Sequence, residues 1–116
     1  MTKKPFKVLI RKEDNKYLKE VKGYFTWLNN LRVFIYNDVL YREWYVIDLD
    51  TGLAIGTGYT MVEAKTTAIS RMNYFKEFKE TEKYKNYRFE YQRLLKNFME
   101  VEWHTFNHLK NSFYLI

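Results

Sequence analysis

Apolar residues recur at every second position near the start of the chain, at Phe6, Val8 and Ile10, beside Lys7 and Arg11. This period is typical of a strand with one buried face. Turn-forming residues then separate further apolar runs at 24–28, 31–36, 41–49 and 53–57. The turns are Glu13-Asp14-Asn15, Asn29-Asn30, Asn37-Asp38 and Asp50-Thr51-Gly52. Residues 1–58 are therefore predicted to form mostly antiparallel strands, because short loops join antiparallel neighbours.

The segment 24–36 is open to two interpretations. Its alternation and the Asn29-Asn30 turn favour a hairpin. A helical stripe is also present, at Tyr24, Trp27, Leu28, Leu31 and Ile35, and periodicity does not decide so short a stretch. A helix there would leave a smaller sheet.

The apolar period changes at Thr60. Thr60 and Glu63 form a capping box, which satisfies two amide donors at a helix start and predicts a helix from Met61 over residues 60–80. Its inner face would hold Ala64, Ala68, Met72 and Phe75.

A second helix is predicted over residues 84–113. One apolar stripe holds Tyr84, Tyr87, Tyr91, Leu94, Phe98 and Val101, and a second holds Leu95, Met99, Phe106, Leu109 and Phe113. A helix with so broad an apolar surface needs more than one partner, so it either crosses the core or forms a homodimer. The predicted fold is α+β: an antiparallel sheet of about five strands followed by two helices on one face, in a single domain 1–116.

Composition narrows the class of protein. The 116 residues include 20 Lys and Arg against 14 Asp and Glu, for a net charge of +6, and 47% are apolar, which excludes disorder for the whole chain. Cysteine is absent, which excludes disulfides and thiol chemistry. No apolar run reaches the ~18 residues of a membrane span, and the basic start lacks a signal-peptide core. We expect a cytoplasmic protein with no membrane partner, located in the host cell if a phage encodes it.

Residue types with AT-rich codons (Phe, Tyr, Met, Ile, Asn, Lys) far outnumber those with GC-rich codons. In size and composition the chain resembles small accessory proteins of phages and mobile elements of low-GC bacteria, among them anti-CRISPR proteins. This resemblance implies a non-enzymatic binding protein that inhibits a host nucleic-acid-handling or defence enzyme.

A short segment resembles a second family. Gly56, Gly58, Thr60, Ala64 and Lys65 match the strand-to-helix junction of double-stranded RNA-binding domains. That family carries paired lysines where this chain has Met61 and Val62. The resemblance implies RNA contact through Lys65 alone.

Asp48 or Asp50 with Glu63 and Lys65 is similar to the carboxylate and lysine pattern of metal-dependent nucleases. The capping box, however, commits the Glu63 carboxylate to a backbone amide. A nuclease is therefore the second alternative function.

Glu100, His104 and His108 would share one side of the second helix and could bind zinc. No cysteine supplies a further ligand, and the serines, Ser70 and Ser112, show no nucleophile motif. We predict no catalytic residue, no metal and no cofactor.

Positive charge is concentrated in two segments. Residues 1–22 hold eight Lys and Arg against three acids, and residues 64–96 hold nine against four, whereas residues 23–63 hold two against five. If the basic segments share a face, they form an electropositive binding surface for a host protein or nucleoprotein complex, or directly for DNA or RNA. Its candidate residues are Lys7, Arg11, Lys12, Lys16, Lys65, Lys79, Lys83, Lys85, Tyr87, Arg88 and Arg93. A basic nucleic-acid-binding module is the first alternative function.

Overall fold

A computed structural model describes the backbone of residues 2–114 and the side chains of residues 2–98. The strands are β1 (Lys4–Lys12), β2 (Asn15–Leu28), β3 (Leu31–Asp38), β4 (Glu43–Asp48) and β5 (Ala54–Gly58). The helices are α1 (Met61–Ser70), α2 (Met72–Phe78) and α3 (Glu82–Tyr114). The strands pair in sequence order, all antiparallel. The predicted α+β fold, a sheet followed by helices, is confirmed.

Strand β2 is longer than expected and pairs with two neighbouring strands. Its first half pairs with β1 as far as Gly23, and its second half pairs with β3 from Tyr24 onward. A Cβ on Gly23 would lie 2.2 Å from the carbonyl oxygen of Ile35, so this crossing requires glycine. The segment 24–36 is therefore the predicted hairpin and not a helix, with Asn29 in the left-handed region at its turn (φ 54°).

One face of the sheet packs on α1 and α2. The predicted inner face of the first helix is confirmed, because Ala64, Ala68, Met72 and Phe75 are all buried. They pack with strand and helix residues Leu28, Val33, Ile35, Val46, Ile55 and Tyr84.

The β1–β2 hairpin covers the opposite face of the sheet. The apolar pattern did not predict this packing. Val8 of β1 packs with Phe34, Tyr36 and Ile47. The backbone amide of Leu9 also donates to the carbonyl of Gly52 at 3.0 Å. Strand β1 therefore reaches the β4–β5 turn, and both faces of β3 are buried.

The helical segment predicted over 60–80 is divided at Arg71. The Ser70 hydroxyl donates to the Thr67 carbonyl at 2.8 Å, and the Arg71 amide is shared between Thr67 and Ala68. Such bonds compete with the helix hydrogen bonds where α1 ends, and the described residues form three helices where two were predicted.

Helix α3 begins at Glu82, two residues before the predicted start. The Thr81 hydroxyl accepts the amide of Tyr84 at 3.2 Å and so caps the first turn. The first predicted stripe faces the chain's own core, since Tyr84 and Tyr91 are buried. The homodimer prediction depends largely on side chains after residue 98. Those side chains lie outside the part of the chain whose side chains are described. No helix among the described residues is both long and apolar enough to cross a membrane.

We expect Thr60→Ala to lower the free energy of unfolding by about 1 kcal/mol, because the Thr60 hydroxyl accepts the Glu63 amide at 3.0 Å. Chemical denaturation measures the change. Thr66→Ala is the matched control, since Thr66 is exposed within α1 and alanine favours helix there. Equal losses in the two variants would contradict the assigned cap.

Candidate binding groove and apolar tip

The β1–β2 hairpin and α3 meet along a seam of predicted surface residues. The Arg11 guanidinium donates to the Tyr87 hydroxyl and lies 5.0 Å from the centre of its ring. Beside it, the Lys16 ammonium lies 2.8 Å from the Glu90 carboxylate and 5.4 Å from the same ring. Arg11 and Lys16 of the first basic segment therefore contact Tyr87 and Glu90 of the second at this seam.

Lys7 is held inside the same seam. Its backbone carbonyl accepts the Tyr91 hydroxyl. Its ammonium lies 3.8 Å from the Glu20 carboxylate and 4.5 Å from the centre of the Phe98 ring. Lys7 and Lys16 thus join elements of the fold and offer less charge to a partner than the sequence suggests.

The other predicted surface residues are spread over several elements. Lys85 pairs with Glu82 at 3.7 Å on α3, and Lys79 lies over the Phe75 ring near the β2–β3 turn. Lys65 is half-buried on α1. The remaining candidates, all exposed, are Lys12, Lys83, Arg88 and Arg93. The structure therefore does not gather the eleven candidates into one patch.

A groove of about 280 Å³ lies between the start of β5, α2, the first turns of α3 and the end of β1. We call it the cationic groove. It is lined by Arg11, Thr51, Leu53, Ala54, Ile55, Arg71, Tyr74, Phe75, Phe78, Lys83, Tyr84 and Tyr87. Three of these side chains are cationic and none is acidic. Among the described residues, no ion pair engages Arg11, Arg71 or Lys83.

Sequence reasoning found Arg11, Lys83 and Tyr87 of this groove but missed Arg71 and Tyr74. Tyr74 is 71% exposed, and its ring lies parallel to that of Phe78, with centres 6.5 Å apart. The helical spacing of Arg71 and Tyr74 was visible, but their place at the mouth depends on the end of α1 at Arg71.

A buried carboxylate lies behind the groove. Asp48 is 2% exposed and accepts the hydroxyls of Thr51 at 2.7 Å and Tyr84 at 2.9 Å, both on Oδ2. Burial raises the pKa of Asp48 above its ordinary value of 3.8, and these two hydrogen bonds oppose the rise. Burial, followed by the Asp48 charge, raises the pKa of Tyr84, so its hydroxyl remains a donor at neutral pH.

The β3–β4 turn forms a second surface, which we call the apolar tip: Val39, Leu40 and Tyr41. These side chains are 84%, 81% and 67% exposed. Asp38 Oδ1 accepts the amides of Leu40 at 3.0 Å and Tyr41 at 3.3 Å, so the turn is fixed by its own hydrogen bonds. Sequence reasoning identified the turn but missed the exposure of Val39 and Leu40, although three adjacent apolar residues after Asp38 were a readable signal.

The junction that resembles double-stranded RNA-binding domains is explained by packing. A Cβ on Gly56 would lie 2.6 Å from the Ala64 carbonyl oxygen, so the glycine allows α1 to approach β5 closely. The Glu63 carboxylate accepts the Tyr59 amide at 2.9 Å, one residue before the amide expected for a capping box.

The nuclease pattern is not assembled as a cluster. Among the described residues no group of three His, Cys, Asp or Glu side chains is placed to hold a metal. Glu63 is committed to Tyr59, and Asp48 to Thr51 and Tyr84. The side chains of Glu100, His104 and His108 lie outside the described ones.

We expect Tyr84→Phe to lower the free energy of unfolding by about 1–3 kcal/mol at neutral pH, because the buried Asp48 carboxylate loses a donor. The loss should shrink as pH falls and Asp48 becomes protonated. This pH dependence follows from the raised pKa of Asp48. Burial already makes the ionised carboxylate unfavourable in the folded state, and removal of the Tyr84 donor makes it more unfavourable still.

Denaturation at several pH values measures this loss. Tyr91→Phe is the matched control, because Tyr91 is equally buried on α3 but donates to the Lys7 carbonyl, and its loss should not follow the Asp48 titration. The same pH profile in both variants would contradict the role of Asp48.

Comparison of the chain with protein-family models, with curated proteins and with solved structures finds no match.

Proposed function

We propose that this is a non-enzymatic binding protein that acts by covering a functional surface of another protein. The observation that carries the proposal is the apolar tip, where Val39, Leu40 and Tyr41 are each at least 67% exposed. Single exposed apolar residues are common on protein surfaces, but contiguous ones are typical of protein interfaces. Large side chains that enter a partner pocket supply most of the binding energy in such interfaces.

The backbone of the apolar tip is preorganised for binding. Asp38 holds the amides of Leu40 and Tyr41, so little conformational freedom is lost when the tip docks. Tyr59 and Val62 add exposed apolar surface at the same end of the sheet, because Gly58 pairs with Trp44 next to the tip. The contact area therefore extends beyond a single loop.

The partner we propose is a host nucleic-acid-handling or defence enzyme, alone or as a nucleoprotein complex, inhibited in the manner of anti-CRISPR proteins. Size and AT-rich composition support this choice. Charge supports it as well: the segment 23–63 that carries the tip holds two Lys and Arg against five acids, of which Asp48 alone is buried. Surfaces that handle nucleic acid are basic, so an apolar tip on an acidic segment is complementary to them.

We expect Leu40→Asp to weaken partner binding by about 2 kcal/mol or more, because it places a charge in the apolar contact. Pull-down from a host lysate treated with nuclease identifies the partner, and a binding titration with that purified partner measures the loss. Phe89→Asp is the matched control, since Phe89 is similarly exposed but lies on α3. Equal weakening by both variants, or loss of the partner on nuclease treatment, would contradict the proposal.

The alternative, a basic nucleic-acid-binding module, is favoured by the seam, where the Arg11 guanidinium and the Lys16 ammonium lie 5.0 Å and 5.4 Å from the centre of the Tyr87 ring. Such a module would bind naked DNA or RNA, with an affinity that falls steeply as salt rises.

Under the protein-partner proposal, we expect only weak binding to labelled DNA and RNA at physiological salt. A salt titration beside Lys83→Glu with Lys85→Glu, and beside Tyr87→Ala, decides between the two functions. Micromolar or tighter binding to nucleic acid that the charge-reversed variant abolishes would support the module instead.

A further inference from the structure

We infer that the cationic groove binds one nucleoside phosphate, with the phosphate at Arg11, Arg71 and Lys83 and the base against Tyr74. The groove lies at the opposite end of β4 from the apolar tip, since the β3–β4 and β4–β5 turns occupy opposite ends of that strand. The inference therefore stands apart from the proposed protein partner.

The phosphate assignment follows from charge. Arg11, Arg71 and Lys83 come from three separate elements of the chain and line the same groove, which has no acidic lining residue. Arg11 is oriented by its hydrogen bond to Tyr87, and a guanidinium has further donors available. Guanidinium and ammonium groups bind phosphate through short, charge-assisted hydrogen bonds.

The buried Asp48 limits where the phosphate can lie. Thr51 and Tyr84 line the groove, but both direct their hydroxyl protons to Asp48. The floor therefore offers few donors to an anion and has a carboxylate behind it. The phosphate is expected at the mouth, where the cations are.

The base is assigned to the aromatic pair Tyr74 and Phe78 of α2. Tyr74 is 71% exposed at the groove and is supported by the parallel ring of Phe78. An exposed aromatic ring is a surface on which a nucleobase stacks, a contact worth roughly a tenfold or greater change in affinity.

Size and charge distribution favour one nucleotide over a strand. The groove volume of about 280 Å³ is at the lower limit for small-molecule pockets. Lys7, Lys16 and Lys85 nearby are paired with acids, which leaves fewer cations to extend the groove into a track of the kind that follows a strand.

The test is titration of the full chain with adenosine monophosphate, followed by backbone amide shifts in nuclear magnetic resonance spectra. Adenosine and inorganic phosphate are titrated separately. We expect adenosine monophosphate to bind more tightly than either part. Arg71→Glu with Lys83→Glu should weaken its binding about tenfold or more, because two charge-assisted contacts are reversed. Tyr74→Ala should weaken binding of adenosine monophosphate but not of phosphate.

Lys19→Glu with Lys22→Glu is the matched control: both residues are exposed on β2, outside the groove lining, and the net charge changes equally. Thermal unfolding shows whether each variant folds, and a variant that does not is replaced by Arg71→Gln with Lys83→Gln. The inference is overturned by absent shifts at concentrations on the order of 10 mM, or by equal weakening in both charge-reversed pairs. Much tighter binding of a single-stranded oligonucleotide, with a salt dependence of several phosphates, would overturn it in favour of a strand.

Discussion

The path of β2 is the constraint on which both layers of the core depend. The strand pairs with β1 as far as Gly23 and with β3 from Tyr24 onward. A side chain at position 23 would meet the carbonyl oxygen of Ile35, so the close crossing exists because the residue is glycine. From this crossing the hairpin returns over the face opposite the helices. As a result β3 has four consecutive buried residues, from Val33 to Tyr36, a pattern typical of a strand covered on both faces.

Helix α3 then ties the layers together through three tyrosines. Tyr84 donates to Asp48 beneath the helix layer, Tyr87 accepts from Arg11 on β1, and Tyr91 donates to the carbonyl of Lys7. Their spacing of three and four residues places them on one side of the helix. Burial, assisted by the Asp48 charge, raises the pKa of Tyr91 to about 12, so its hydroxyl stays protonated at neutral pH. The same contacts draw charged residues of the hairpin into structural roles.

The fold presents two surfaces of different chemistry, one apolar and one cationic. The apolar tip projects from the β3–β4 turn and is stabilised by a local turn alone, so it needs nothing from the helices. The cationic groove is assembled from β1, β5, α2 and α3, and so depends on tertiary contacts between these elements. Since the groove lies beside the β4–β5 turn, where β1 contacts Gly52, any change that loosens the hairpin should alter the groove before it alters the tip.

The sequence by itself determined the features that local chemistry specifies. The Thr60 cap, the buried face from Ala64 to Phe75 and the run of antiparallel strands all follow from neighbours within a few residues. Tertiary structure alone decided the rest. Arg11 and Tyr87 are 76 positions apart, and Arg71 lines the groove from the break between α1 and α2. Periodicity shows which side of an element is apolar, but not which element will cover it, because that choice is made by packing between segments distant in the chain.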